Sequence, residues 1–577
     1  MFVLAITLLL GFFLRIIGLN WDQGTHLHPD ERFLTMVAEK IQFPLSLAQY
    51  FNSSSSTFNP YNNGFTFYVY GNLPLLITRF TAQLFHMTTY DSIFLVGRAI
   101  SALFDTGTIA LVYFLSMQIF ASKRAAKFAA LAYCLSVLPI QQAHFFTVDS
   151  ILVFFSTSTL LFFIKHFKEK RLLPLIWSGI FFGLTLASKT SLLITTPLFY
   201  ISLLFVHQKK LLNILKFSLL FSFCWLVAFR IFNPYAFNGP VSLSPTFISN
   251  IQDAHKMITG DINYPPNVQW TGTLPIIHPL IQLALWGYGP VATLLAMLGV
   301  IFLARRKKIT QSGALIFISL FSILIFTYQG VQLAKYMRYF YPIYPFLALL
   351  TGYAISKIAS LRLRSHSADS ASSLQAGSGQ AGQAKKILIV VWLALLIWPI
   401  CFISIYQQKH SRVQASEWIY ENIPKGSTVT SEEWDDSLPL NLFGRTNQDY
   451  TTLSLSMFQE DSRAKWEIIS KQLEQSDFII LSSNRVFDSI THRSSIYPIT
   501  KRYYTMLFDG SLGFEPVKIS TSFPRLGPFI IDDRFAEESF TVYDHPQVYI
   551  FKKRVTNNGD DIMNLLFQYE KTPKSRI

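Results

Sequence analysis

Long apolar runs, separated by short polar turns, fill residues 1–406 of this 577-residue chain. A helix that crosses a bilayer needs about 20 mainly apolar residues, and many of these runs meet that requirement. From about residue 407 the sequence becomes polar, which predicts a soluble module. The apolar pattern predicts eleven spans, at about residues 1–19, 92–119, 128–146, 150–166, 172–187, 190–206, 211–232, 279–304, 313–329, 336–357 and 387–406.

The segment 69–87 is ambiguous, because it contains Pro74, Arg79 and His86. It is either a twelfth span or an interfacial helix within the first loop, 20–91, and we expect the interfacial helix. Basic residues concentrate in short cytoplasmic loops. With 69–87 outside the membrane, the first loop and everything after 407 are predicted to be extracytoplasmic. All the basic clusters then fall on the cytoplasmic side: Lys123/Arg124/Lys127, Lys165/Lys168/Lys170/Arg171, Lys209/Lys210, Arg305/Arg306/Lys307/Lys308 and Lys385/Lys386.

The composition agrees with an integral membrane protein, since 51% of the residues are hydrophobic, 14% are charged and the mean hydropathy is +0.33. The net charge of +15 is explained by the basic loops. No basic domain with interleaved stacking aromatics is present, so we expect membrane lipids and no nucleic acid as partners. The three cysteines, Cys134, Cys224 and Cys401, lie in apolar helices and give no disulfide framework.

The predicted fold is a polytopic α-helical membrane protein with about 11–12 transmembrane helices and a C-terminal extracytoplasmic α/β domain. The transmembrane domain is predicted over 1–406 and the soluble domain over 407–577. Residues 358–386, rich in Ser, Ala and Gly, predict a flexible cytoplasmic linker. Within the soluble domain the pattern predicts a helix at Ser416–Asn422 and strands at Phe478–Leu481 and Val548–Phe551.

Two adjacent carboxylates, Asp30 and Glu31, follow Pro29 in the first loop. Proline fits the first turn of a helix, and the helix dipole favours acids there, so capping is one explanation for the pair. The other is catalysis, because a carboxylate at a partly dry membrane interface can be tuned towards a general base. We favour catalysis, since aromatic and imidazole side chains, among them His28, crowd the same loop.

A second acid, Asp149, begins a later apolar helix just after the turn that contains His144. Aspartate is a preferred helix N-cap, and this role is compatible with a catalytic one. We expect Asp149 to lie near Asp30, because both are predicted on the same membrane face. His28 and His144 are predicted to line the substrate pocket.

Lys and Arg normally concentrate on the cytoplasmic side of a membrane protein, so basic residues on the predicted outer face suggest a specific function. Lys335 and Arg338 are three residues apart at the outer end of a span, so one helical turn would place both on a phosphate, Arg338 with its planar fork. Lys189 is a third outer cation, with snorkelling as its alternative role. Tyr339 fits an interfacial aromatic belt and is also predicted in the substrate pocket.

Two further expectations concern ions inside the membrane domain. A divalent cation held by Asp30, Glu31 and Asp149 is compatible with their ligand chemistry, although a monophosphate leaving group does not require one. Asp105, in the middle of a span, is predicted to pair with Arg98, seven residues earlier, in a structural role.

The acidic pair after the first span, the aspartate that starts a later span and the Arg338-Tyr339-x-x-Pro342 helix end together resemble the GT-C glycosyltransferases. The resemblance covers residues 1–406 and is greatest to the phospholipid-carrier-dependent group, family 39, of protein O-mannosyltransferases and lipid A aminoarabinose transferases. It implies a multi-pass enzyme of the plasma membrane that uses a polyprenyl-phosphate sugar donor. In such families Asp30 aligns with the candidate base and Asp149 with a second acid, while basic residues such as Arg338 and Lys335 bind the carrier phosphate.

The implied reaction moves the sugar, with inversion, to an extracytoplasmic glycan, lipid or protein acceptor. Physical chemistry agrees, because nucleotide sugars are not available outside the cytoplasm and a phosphate leaving group needs only one base and positioned cations. A transporter or lipid-linked glycan flippase is the main alternative, but such proteins place ionisable residues near the bilayer midplane. A non-catalytic membrane scaffold is a second alternative.

Overall fold

The computed structural model describes residues 2–207, 210–305, 312–368, 377–442, 444–491, 493 and 495–567. The chain forms two compact units. The first comprises Met1–Leu19, Pro29–His255 and Pro275–Ile403, and the second comprises Asn20–His28, Lys256–Leu274 and Ser404–Ile577. The boundary at Ile403 lies close to the predicted one at 406, but the sequence did not predict that two loop segments would join the second unit.

The first unit is almost entirely helical. Its α-helices are α1 (Phe2–Ile16), α2 (Pro29–Lys40), α3 (Leu47–Phe51), α4 (Asn72–Leu84), α5 (Tyr90–Phe120), α6 (Lys123–Cys134), α7 (Val137–Ala143), α8 (Asp149–Glu169), α9 (Leu172–Ser188), α10 (Thr196–Val206), α11 (Leu211–Phe232), α12 (Pro245–Thr259), α13 (Ile277–Gln282), α14 (Pro290–Ala304), α15 (Gly313–Val331), α16 (Tyr344–Ala368) and α17 (Gly377–Ile403).

The polytopic helical architecture predicted from the sequence is confirmed. Six helices in the described part of the chain are long and apolar enough to cross a membrane, and a seventh candidate is the pair Ile277–Gly287 and Pro290–Ala304, bent by 117°. Shorter apolar helices occupy three of the other predicted spans. The predicted span 128–146 is divided between α6 and α7, because Pro139 in the first turn of α7 has no N–H with which to continue the preceding helix.

Within the ambiguous segment 69–87 the structure contains only the 13-residue helix α4. At 1.5 Å per residue it is about 20 Å long, shorter than the roughly 30 Å apolar core of a bilayer. Its Arg79 is buried and donates to the carbonyl oxygens of Ala38 and Glu39 at 3.1 and 3.0 Å. These features fit a helix within the first loop.

The predicted flexible linker 358–386 needs correction, because α16 continues to Ala368 and α17 begins at Gly377. The stretch between them, 369–376, lies outside the described residues. The same is true of Lys209 and of the basic residues 306–308, and the side chains of Lys385 and Lys386 are also not described.

The expected pairing of Asp105 with Arg98 is wrong. Asp105 forms a buried ion pair with Arg15 of α1 and accepts hydrogen bonds from the Tyr133 hydroxyl, at 2.5 Å, and from the Tyr341 hydroxyl. A buried carboxylate needs a charged partner, and Arg15, on a neighbouring helix, reaches it directly. Arg98 pairs with Glu31 instead.

The second unit contains a five-stranded mixed sheet in the order β2-β1-β3-β7-β4, plus a two-stranded ribbon of β5 and β6. β1 is parallel to β2 and β3, whereas β7 is antiparallel to β3 and β4. The strands are β1 (Thr428–Glu432), β2 (Thr451–Leu455), β3 (Phe478–Leu481), β4 (Phe514–Ser520), β5 (Arg525–Leu526), β6 (Phe529–Ile530) and β7 (Val548–Lys553), and the helices are α18 (Ser411–Asn422), α19 (Arg463–Gln475), α20 (Phe487–Thr491), α21 (Pro498–Phe508), α22 (Glu538–Thr541) and α23 (Gly559–Phe567).

Both predicted strands and the predicted helix are present, the helix beginning earlier, at Ser411. Alternate residues of β3 pack into different cores on the two faces of the sheet: Phe478 and Ile480 on one, Ile479 and Leu481 on the other. This explains why β3 is a continuous apolar run. The loop segment Lys256–Leu274 adds Val268 to the second of these cores.

Candidate active site

Asp30 lies in the first turn of α2, where Pro29 begins the helix. Its Oδ2 accepts a hydrogen bond from Nη1 of Arg338, which is 308 residues later in the chain. The two side chains are only partly buried, with 25% of Asp30 and 14% of Arg338 exposed. This accessible pair joins the predicted base to the predicted phosphate ligand.

Glu31, its neighbour in sequence, has a different environment. It is completely buried, and its carboxylate accepts hydrogen bonds from Arg98 and, at 2.6 Å, from the backbone N–H of Phe146. These partners connect α2, α5 and the turn before Asp149. Glu31 therefore links the two acidic segments through buried interactions. A catalytic role for Glu31 remains a prediction that this geometry does not favour.

Asp149 is the first residue of α8, and Val148 holds the N-cap position that the sequence suggested for Asp149. Its Oδ1 lies 3.0 Å from Nζ of Lys189. Lys189 is the C-cap of α9 and has an extended backbone, with φ −162° and ψ 130°. Asp149 and Lys189 thus form a second acid–base pair at the ends of two helices that pack on each other.

Tyr339 connects the two pairs. Lys189 Nζ lies 5.0 Å from the centre of its ring, and the guanidinium carbon of Arg338 lies 5.8 Å from the same centre. Both distances allow a cation–π interaction. Of the predicted site residues, Asp30, Arg338, Tyr339, Lys189 and Asp149 consequently form one continuous cluster, which we call the acid–base cluster.

Tyr70, which was not among the predicted site residues, also belongs to this region. Desolvation raises the pKa of its hydroxyl well above the ordinary value. The charges of Asp30 and Asp149 raise this pKa further, and the charge of Arg338 lowers it. A tyrosine hydroxyl is protonated at neutral pH even without such a shift, so Tyr70 can donate a hydrogen bond there.

Gly71 explains how Tyr70 reaches the acid–base cluster. Its N–H donates to the carbonyl of Ser188 at 3.0 Å, beside Lys189, and a Cβ at position 71 would lie 1.7 Å from the carbonyl oxygen of Ala187. Only glycine allows the two backbones to approach so closely. A Tyr-Gly pair at the start of the predicted interfacial helix 69–87 was the only signal in the sequence.

Lys335 is placed differently from the prediction. The helical turn assumed between Lys335 and Arg338 is absent, because the 3₁₀ helix begins only at Met337. Lys335 lies in the preceding coil, is buried, and donates from Nζ to the Leu333 carbonyl at 3.2 Å. Its role in phosphate binding therefore stays a prediction.

The two predicted pocket histidines have separate surroundings. His144 is buried, and its ring nitrogens lie 2.8 and 2.9 Å from the carbonyl oxygens of Ile140 and Ile17. His28 belongs to the second unit and packs on Tyr543, with 4.2 Å between ring centres. Substrate contact by either histidine stays a prediction.

The structure gives each of the three predicted metal ligands its own basic partner: Arg338 for Asp30, Arg98 for Glu31 and Lys189 for Asp149. Among the described residues, no group of three or more His, Cys, Asp or Glu side chains is spaced to hold a metal ion. A divalent cation held by these three carboxylates stays a prediction.

The acid–base cluster can therefore do two things. An accessible carboxylate can take a proton from a hydroxyl group, and two neighbouring cations can stabilise an anionic leaving group. The buried Glu31–Arg98 pair holds the segments that carry these groups in place.

Comparisons with known proteins agree with this architecture. Residues 73–236 match the family model for dolichyl-phosphate-mannose-protein mannosyltransferases, and residues 272–437 match that for the Alg9-like mannosyltransferase family. A search of curated proteins gives no match.

Among solved structures, the chain is similar to the oligosaccharyltransferase of Archaeoglobus fulgidus, with a TM-score of 0.51 and 14% identity over 87% of this chain and 72% of that one. The same enzyme, AglB, has been solved with an inhibitory peptide and a dolichol-phosphate. ArnT from Cupriavidus metallidurans, bound to undecaprenyl phosphate, gives a TM-score of 0.45 and 12% identity over 95% of this chain and 97% of that one. The two family models, each covering less than a third of the chain, and the shared fold together make the chain similar to the membrane glycosyltransferases of the GT-C group.

Proposed function

We propose that the chain transfers a sugar from a polyprenyl-phosphate carrier to an acceptor on the extracytoplasmic face of the membrane, with inversion at the anomeric carbon. The observation that supports this most strongly is the acid–base cluster, in which the accessible carboxylate of Asp30 pairs with Arg338 and Tyr339 lies near both Arg338 and Lys189. The match of residues 73–236 to a family named for a dolichyl-phosphate sugar donor supports the donor class.

Arg338 and Lys189 are the proposed ligands of the carrier phosphate. A guanidinium has five N–H donors, so Arg338 can hold Asp30 with one and offer others to phosphate oxygens. Lys189, with its Nζ 5.0 Å from the centre of the same Tyr339 ring, adds a point charge. AglB, which shares the fold, was solved with a dolichol-phosphate, a ligand of the same chemistry.

In the proposed reaction, the acceptor hydroxyl attacks the anomeric carbon while its proton passes to the Asp30 carboxylate. The bond between the anomeric carbon and the phosphate oxygen breaks, and the polyprenyl phosphate leaves with the bonding electrons. Arg338 and Lys189 stabilise the charge that develops on the phosphate. Asp149 orients Lys189, and Tyr70 offers its hydroxyl proton as a further hydrogen-bond donor.

The first test replaces the proposed base. Asp30→Asn keeps the size of the side chain but removes its basicity, so we expect sugar transfer to fall by about 100-fold or more. Transfer is measured with purified protein in nanodiscs, over a panel of radiolabelled polyprenyl-phosphate sugars. Asp91→Asn is the matched control, because Asp91 also lies in the first turn of a helix but is exposed and outside the cluster.

The second arm of this test is donor binding. Arg338→Ala is expected to weaken binding of the polyprenyl-phosphate sugar, whereas Asp30→Asn leaves binding largely intact. Transfer by Asp30→Asn at the wild-type rate would disprove the role of the base. Movement of the lipid across the bilayer without any sugar transfer would favour a flippase instead.

A further inference from the structure

A second candidate binding region lies in the first unit, at the end of α11. An apolar groove of about 530 Å³ is open there, and several of its side chains are exposed, including Leu226 at 46% and Val241 at 87%. Such exposure suits acyl or prenyl chains rather than water. The groove is lined by Phe51, Leu226, Val227, Arg230, Ile231, Phe237, Pro240 and Val241.

Arg230 is the single charged residue of this groove. Its Nε and Nη2 donate to the carbonyl oxygens of Pro240 and Gly239 at 3.2 and 3.4 Å, and its guanidinium carbon lies 5.1 and 5.0 Å from the ring centres of Phe51 and Phe237. The Nη1 atom is buried and has no hydrogen-bond partner. Within the described residues no carboxylate pairs with Arg230.

A partly buried guanidinium that meets only backbone carbonyls and aromatic rings still has an uncompensated charge and one unsatisfied nitrogen, so an anion beside it would lower the free energy of its burial. The position of Arg230 in the last turn of α11 is therefore better explained by a ligand that carries negative charge. A phosphate fits, because it accepts hydrogen bonds from the guanidinium fork. The adjoining groove requires that the phosphate be attached to an apolar chain.

A polar cavity of about 590 Å³ adjoins the groove at Phe51, which lines both. Amide and hydroxyl groups dominate its wall, and Tyr61 and Tyr235 add aromatic surface. This combination suits sugar rings, which present many hydroxyls and a few apolar C–H faces. The remaining lining residues are Asn52, Ser53, Ser54, Asn59, Asn62, Asn238, Ser244 and Thr246.

We propose that the groove and the polar cavity together bind one molecule, a saccharide linked through phosphate to a lipid. Its apolar chain lies in the groove, its phosphate meets Arg230, and its sugar occupies the polar cavity. A free sugar would leave the groove unexplained, and an ordinary phospholipid would leave the polar cavity largely empty. The identification of this molecule as the acceptor rests on the proposed function, but its binding does not.

The test measures binding directly. The full-length Asp30→Asn protein, in phosphatidylcholine nanodiscs, is titrated with a polyprenyl-phosphate disaccharide or with phosphatidylglycerol, and the retained lipid is counted by native mass spectrometry. Arg230→Gln should lose about tenfold or more in affinity for the disaccharide lipid, as expected for a charge-assisted hydrogen bond. Arg230→Lys, which keeps the charge, should retain part of it. Lys216→Gln, an exposed cation on the same helix, is the matched control.

A second variant separates sugar from lipid recognition. Ser54→Trp fills the polar cavity and should weaken the disaccharide lipid while leaving phosphatidylglycerol unchanged. Equal retention of both lipids by the Asp30→Asn protein, or no effect of adding Ser54→Trp or Arg230→Gln to it, would overturn the proposal. Because the protein lacks the Asp30 carboxylate, the outcome is independent of whether sugar transfer itself is correct. An Arg338→Ala background excludes binding at the donor site.

Discussion

Asp30 and Glu31 are adjacent in sequence but differ in every property that decides their chemistry. Glu31 is completely buried against Arg98, whereas a quarter of the Asp30 side chain is exposed, next to Arg338. Because consecutive helical residues point about 100° apart, the first turn of α2 sends one carboxylate into the protein and the other towards the accessible cluster. The sequence offered both as catalysts, and burial separates their roles.

The Glu31–Arg98 pair gives a stability prediction. Glu31→Gln leaves the guanidinium of Arg98 without its buried counter-charge, and such a loss costs about 3–5 kcal/mol. The midpoint of chemical unfolding of the purified protein in detergent should fall accordingly. Glu39→Gln, on the same helix but not fully buried, should change the midpoint little. An unchanged midpoint for Glu31→Gln would show that the Glu31–Arg98 pair does not stabilise the fold.

In the second unit, two buried groups make stability depend on pH. Burial lowers the pKa of His545, but the carboxylates of Asp533 and Asp544, at 2.8 and 2.5 Å, outweigh it and raise the pKa to about 10. Burial raises the pKa of Glu432 to about 8, although a hydrogen bond from Tyr504 opposes this. In both cases the folded state binds a proton more tightly than the unfolded chain does.

The direction of the pH effect follows from these shifts. A raised pKa stabilises the fold fully below the unfolded pKa, about 4.5 for Glu432 and about 6.5 for His545, and this contribution is lost as the pH rises through about 8 and about 10. We expect faster hydrogen exchange in the second unit of the full-length protein at pH 9 than at pH 6, after correction for intrinsic rates. His545→Gln should reduce the difference, and a pH-independent wild type would refute it.

At the level of elements, the loop before α4 and the end of α9 meet through backbone rather than side chains. Gly71 allows this contact, which brings the residue after Tyr70 against Ala187 and Ser188, just before Lys189. Hydrophobic periodicity cannot reveal such a contact, because a contact between two backbones involves no apolar face and no repeat along the sequence. Local sequence also predicted a helical turn at Lys335–Arg338. The structure has coil there, followed by a 3₁₀ helix, because contacts with distant parts of the chain set the local backbone.

Gly71→Ala tests this contact. The added methyl group would collide with the Ala187 carbonyl oxygen, 1.7 Å away, so the loop must move away from the end of α9 by about 1 Å or more. Displacements of this kind can cost about 100-fold in rate, and we expect a similar loss in sugar transfer. Thr66→Ala, an exposed change in the same loop, is the control and should leave transfer unchanged. Wild-type transfer by Gly71→Ala would show that the contact does not position the cluster.

At the scale of the whole molecule, the orientation in the membrane remains the main prediction from charge distribution. Reporter domains fused after residues 60 and 450 should report an extracytoplasmic location, and a fusion after residue 170, beside basic Lys170 and Arg171, a cytoplasmic one. The short helix α4 favours this parity, because it adds no span between residues 60 and 170. A cytoplasmic signal at 60 together with an extracytoplasmic one at 170 would reverse the assignment.

The sequence by itself determined the helical membrane architecture, the separate α/β module and the residue types at the candidate site. These follow from local properties, since a span needs a continuous apolar run, a buried strand needs apolar residues on both faces, and a helix start favours proline and acids. The tertiary structure alone decided which charges meet. Arg15 pairs with Asp105, Arg98 pairs with Glu31, and Arg338 pairs with Asp30, which is 308 residues away in the sequence. Ion pairing depends on distance in space, and no period or spacing along the chain records it.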